Sequence, residues 1–72
     1  MIEELEQKFD EVESWLESQW YRRSDALRYE MDDLREQYEK VSQYKDRFTA
    51  DEMKILAWCE IKLEQYENEI KE

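Results

Sequence analysis

Apolar residues recur at Ile2, Leu5, Phe9, Val12 and Leu16, again at Leu27, Met31, Leu34, Tyr38 and Val41, and again at Leu56, Cys59, Leu63, Tyr66 and Ile70. Within each run the steps are three or four residues, the spacing that lines one face of an α-helix, and charged residues fill most of the other positions. The pattern predicts an all-α chain, helical nearly throughout, with residues 1–72 as a single domain.

One interruption is well marked. In FTADEM, Thr49 can cap the first free N–H groups of a helix while Glu52 reaches back to it, and Phe48 and Met53 hold the two hydrophobic-staple positions. Lys45 and Arg47 stand where cations favour the end of a preceding helix. These features predict a turn at about 46–49 and a helix over about 50–71.

The stretch ESQWYRRSDA, residues 17–26, is ambiguous. Arg22 and Arg23 suit a helix C-terminus, Ser24 an N-cap and Asp25 a first turn. Yet position 27 is not acidic, and Arg23 and Arg28 occupy the staple positions. Leu16, Trp20, Ser24 and Leu27 advance by 4, 4 and 3, a stutter that unwinds a supercoil without ending a helix. This favours one long helix over about 2–46, continuous or bent near Ser24, over a break within 21–25. Such a helix is ~67 Å long and its shorter partner ~33 Å, so the stripe from Ile2 to Trp20 would stay wet. A second chain would cover it, giving an antiparallel helical hairpin or coiled coil that dimerises. The alternative is a monomeric three-helix bundle.

Composition narrows the chemistry. With 44% charged and 40% hydrophobic residues and no Gly or Pro, the chain belongs with long helices rather than disordered segments. Lacking glycine, it has no phosphate-cradling loop; lacking histidine, it has neither the usual general base nor the usual zinc ligand. Its carboxylates lie along helices, with no D-x-[DN]-x-[DN]-G loop to wrap a cation. No catalytic residue, cofactor or metal site is expected, and the chain is read as not an enzyme. Cys59, alone and on an apolar stripe, reads as a small buried residue. The start, MIEELEQKF, lacks the features of a secretory signal, and no run approaches the ~18 apolar residues of a membrane span. The expectation is a cytoplasmic protein that does not engage membranes.

Charge divides unevenly. Residues 1–20 carry seven acids and one base, 21–48 carry seven of each, and 49–72 carry seven acids and three bases, for a net −10. All five arginines fall in the middle stretch, where ion pairing with acidic neighbours is the plain explanation. With the first apolar stripe turned inward, Glu3, Glu4, Glu6, Asp10, Glu11, Glu13 and Glu17 form an acidic ridge. Such a ridge keeps a protein soluble; it also resembles a phosphate backbone. Over a helix of about 30 Å its net charge comes to one per ~5 Å, against one per ~3.4 Å in a single strand and ~1.7 Å in a duplex. Mimicry therefore needs two ridges side by side.

Trp58 and Ile61 project from the back of the last helix, and Trp15 and Trp20 flank the first stripe. These four are candidate anchors for another protein, since tryptophan is enriched at binding hot spots; packing against two neighbours would equally account for Trp58. Tyr21 beside Arg22 and Arg23 could stack on bases, but the net charge repels nucleic acid. The functional expectation is a small acidic protein-binding module. Its sharpest form is a phage-type stoichiometric inhibitor, a decoy for a nucleic-acid-binding protein with a basic groove. The alternative is a structural coiled-coil oligomer, a self-associating scaffold or adaptor.

Overall fold

The three apolar runs become three separate helices. The computed structural model describes residues 2–18 and 22–71. Among these, α1 spans Ile2–Ser18, α2 spans Arg23–Ser42 and α3 spans Ala50–Lys71, with a 3-10 turn at Lys45–Arg47 before α3. Cross-helix contacts fix the directions. Lys8 of α1 reaches Glu30 and Asp33 of α2 while Glu13 reaches Arg23, so α1 and α2 run in opposite senses. Phe9 meets Trp58 and Glu13 meets Lys62, so α3 runs with α1.

A long helix over 2–46 therefore does not form, and the two-helix hairpin gives way to three helices. The molecule extends 39 Å along its longest axis, far short of the ~67 Å that 45 helical residues require. Arg22, with φ −57° and ψ 136°, is the extended residue before α2, and its carbonyl accepts from the N–H of Ala26 at 3.1 Å. Ser24, the N-cap candidate, lies instead inside the first turn of α2.

Burial explains the outcome. Closing the chain covers Ile2, Leu5, Phe9, Val12 and Leu16, none more than 5% exposed. At ~1.5–3 kcal/mol each this is worth at least ~7 kcal/mol. Ending α1 at Ser18 and starting α2 anew at Arg23 forfeits about four backbone hydrogen bonds at a net ~1 kcal/mol each. A second chain could supply similar burial, but only at the translational and rotational cost of association. The wet stripe that called for a dimer is thus covered within one chain.

The core runs the length of the bundle. Phe9, Ala26, Leu27, Leu34, Cys59 and Tyr66 are essentially inaccessible, and Trp15, Tyr38, Phe48, Ile55, Trp58 and Ile70 pack partly buried around them. Phe9 is its pivot, stacked on Tyr66 at 6.3 Å and edge-on to Trp58 at 5.9 Å.

Helix ends follow from the lack of glycine. No described residue has positive φ, so the left-handed C-terminal cap is not used. Instead, in the last turns of α1 and α2, Ser18 donates to the Trp15 carbonyl at 2.8 Å and Ser42 to that of Glu39 at 3.0 Å. Beyond Ser42 the chain tightens through Tyr44 to Val41, Arg47 to Tyr44 and Phe48 to Lys45, each N–H reaching back three residues. The second helix consequently stops at Ser42, four residues before the expected end.

The start of α3 is the capping box read from the sequence. The Thr49 N–H donates to Glu52 Oε1 at 3.0 Å and the Glu52 N–H to Thr49 Oγ1 at 3.2 Å. Thr49→Ala should cost about 1 kcal/mol, within the ~0.5–2 kcal/mol of such caps, with Thr49→Ser close to wild type. Urea melts of the two variants check this; equal losses would show that the hydroxyl is not the cap.

Candidate protein-binding surface

In sequence the middle segment is electrically neutral, but in the bundle its charges sort by face. Arg23 donates to Glu69 of α3 at 2.9 Å and to Glu13 of α1 at 3.1 Å. Arg28 donates to the Ile70 carbonyl near the end of α3 at 3.3 Å, and Arg35 pairs with Glu67. The arginines of α2 are therefore spent against α3 or at its C-terminal end. Around Arg28, Met31, Asp32, Arg35, Glu67, Ile70 and Lys71 an open groove of about 430 Å³ remains, its cations already engaged in part by these bonds.

Two carboxylates of α2 face the other way, whereas Asp32 lines the groove with the arginines. Glu30 and Asp33 lie beside α1, where Lys8 meets them at 3.6 and 2.7 Å. The hydrogen bond to Asp33 raises the Lys8 pKa above the usual lysine value against the opposing effect of burial, and the charges of Asp33 and Glu30 add to it. Glu4, Lys8, Glu11 and Trp15 follow one another at helical spacing on α1. Lys8, Glu11, Val12 and Trp15 line a small cleft of about 170 Å³ with Glu30. This face thus carries carboxylates of two helices, with Lys8 neutralised between them.

The acidic ridge of α1 is not uniform. Glu3, Glu4, Asp10, Glu11 and Glu17 are exposed, whereas Glu6 and Glu13 are half-buried on the flank toward α3. Glu13 is the centre of a cluster joining all three helices. Its Oε1 accepts from the Tyr66 hydroxyl and from Arg23 and lies 3.6 Å from Lys62, while the Arg23 guanidinium sits 5.9 Å from the Tyr66 ring centre. The sequence placed Glu13 with the solvent-facing acids because its contacts come from residues 10 and more than 45 positions away.

The cluster has a pH signature. Burial pushes the Glu13 carboxyl up, but the hydrogen bonds from Tyr66 and Arg23 and the charges of Arg23 and Lys62 outweigh it, leaving its pKa below the ordinary 4.5. Burial, followed by the bond to Glu13 and its charge, holds the Tyr66 hydroxyl well above the ordinary 10. A lowered carboxyl stabilises the fold above its unfolded pKa and loses that contribution as pH falls through the folded one. A raised phenol stabilises below 10 and loses its contribution as the unfolded chain ionises at higher pH. Wild type should thus exceed Glu13→Gln in stability near neutrality, with the gap narrowing below pH 4.5. Its advantage over Tyr66→Phe, about 1.5–3 kcal/mol for a bond to a charged acceptor, should narrow above pH 10. Urea melts across pH measure both gaps; gaps constant from acid to alkali would rule the cluster out as a stabilising device.

The aromatic candidates divide. Trp58 is half-buried on Phe9 with the Lys62 ammonium 5.8 Å from its ring centre, so packing against a neighbouring helix accounts for it. Trp15 packs partly buried beside the α1–α2 cleft. Ile61 is 54% exposed. Trp20, like Tyr21, lies outside the described residues. Cys59 is buried, its thiol pushed up to about 12 by burial and then by the charges of Glu6 and Asp10. Among the described residues no helix is long and apolar enough to cross a membrane, and no three acids or thiols group as a metal site. Comparison of the chain with protein-family models, curated proteins and solved structures finds no match.

Proposed function

We propose that the chain is a stoichiometric protein-binding module, not an enzyme, that offers its α1–α2 face to a basic groove otherwise used by nucleic acid. The observation carrying this reading is the placement of charge on α2, which sets Glu30 and Asp33 on Lys8 of α1, beside the exposed Glu4 and Glu11, and turns Arg35 to α3 while Arg23 bridges Glu13 and Glu69. The second row, Glu30 and Asp33, offsets the turning of Glu6 and Glu13 to the α3 flank and keeps about one net charge per ~5 Å on this side, against one per ~3.4 Å in a single strand. A phage-type inhibitor acting as a decoy works in this way, by occupancy rather than chemistry. The burial of the α1 stripe within the chain removes the argument for a dimer, and a self-associating scaffold stays the alternative.

The test is capture from a cell extract on immobilised protein at low salt, followed by stepwise salt elution. The expected result is a basic nucleic-acid-binding protein, released by salt and displaced by the nucleic acid it normally binds. Retention that salt and nucleic acid both leave unchanged would defeat the decoy reading.

A further inference from the structure

Helix α3 is apolar on two faces. Leu56, Cys59, Leu63 and Tyr66 point into the core, while Met53, Ala57 and Ile61, spaced by four, form an exposed outer row. Met53 is 40% and Ile61 54% exposed. A helix apolar on opposite sides is ordinarily enclosed by neighbours on both, yet α1 and α2 cover only the inner side of α3. The surroundings of the row are acidic. Glu60 and Glu64 are exposed on α3 itself, each three residues beyond a member of the row. Lys54 is the exposed cation beside the row.

We propose that this outer row docks one amphipathic helix of another protein, with an apolar stripe toward α3 and lysines or arginines along its edges. Charge selects this occupant. A second copy of the chain brings its own net −10 to the contact and is repelled, whereas a basic edge meets Glu60 and Glu64. Shape agrees with it. Met53 to Ile61 covers about 12 Å, a little over two turns, and Ala57 at its centre lets the incoming helix approach toward the short end of the ~8–10 Å range. The partner supplies residues at i, i+3, i+4 and i+7, as in helix-in-groove recognition, and becomes the fourth helix of the bundle. This surface uses none of the α1–α2 cleft and stands apart from the decoy reading.

The probe is a synthetic peptide of about 14 residues, long enough for four turns, made of leucine and lysine with leucines at helical spacing. Controls are the same composition scrambled and a leucine–glutamate peptide of the same pattern. Titration calorimetry at physiological salt should give micromolar binding for the patterned lysine peptide and none for the glutamate one. Ile61→Glu and Ala57→Glu, both at exposed sites, should each weaken it at least tenfold with unchanged circular dichroism. Glu11→Gln and Glu30→Gln, on the other face, should change it less than threefold. Equal binding of the scrambled peptide, or indifference to both α3 variants, would reduce the effect to charge attraction and overturn the proposal. So would sedimentation at twice the 9.1 kDa chain mass that Ile61→Glu abolishes, since the row would then belong to a second copy.

Discussion

Phe9→Ala should remove a large share of the protein's stability. Phe9 is 0% exposed and its ring touches both aromatic side chains that α3 turns toward α1, Tyr66 and Trp58. Truncating such a residue costs ~3–5 kcal/mol, through lost transfer free energy and the cavity left behind. At ~0.05–0.15 kcal/mol per residue a chain of this length has only about 4–11 kcal/mol in total. In a domain of this size 1 kcal/mol moves the melting temperature by about 4–8 °C, so the drop should exceed about 12 °C. Ile61→Ala, at a solvent-exposed position, should stay within ~0.5 kcal/mol of wild type. Thermal and urea melts followed by circular dichroism measure both. The comparison also separates the bundle from a monomeric two-helix hairpin, because in a 45-residue helix paired only with a shorter one Phe9 would lie on the uncovered half. A Phe9→Ala loss below about 1 kcal/mol would contradict the bundle core described above.

Neutralising the α1–α2 face should have an effect of comparable size, on binding rather than folding. Glu4, Glu11 and Glu30 changed together to glutamine remove three charges while leaving Asp33 to pair with Lys8 and leaving the Glu13 cluster intact. Glutamine has nearly the helix propensity of glutamate, and net charge falls from −10 to −7, so stability should hold or rise as self-repulsion eases. Binding to a captured basic protein should weaken by up to about 3 kcal/mol, at most ~1 kcal/mol per exposed pair, or roughly a hundredfold. Rising salt should erode wild-type affinity much more than that of the variant, because screening over ~8 Å at physiological ionic strength acts on the charges the variant no longer has. Calorimetry at two salt concentrations reads all four affinities. If they are equal, carboxylates on this face do not imitate phosphates.

The sequence by itself determined the helical class, the three buried stripes and the opening of α3. These are local matters: a 3,4 spacing chooses a buried face wherever the helix packs, and the bonds between Thr49 and Glu52 close within a single turn. It also identified Cys59 as a core residue and Ile61 as an outward one. What only the tertiary structure decided was whether Leu16 and Leu27 share one helix. Local spacing permits continuity there; the reversal follows from covering the Ile2–Leu16 stripe within one chain, a gain visible only once α3 is beside α1. The same holds for charge. Nothing near Glu13 in sequence distinguishes it from Glu11, but Arg23, Lys62 and Tyr66 converge on the first and leave the second at the surface. Neutrality of the middle segment likewise hid its polarity, because net charge adds over a segment, whereas a partner meets one face of a helix at a time.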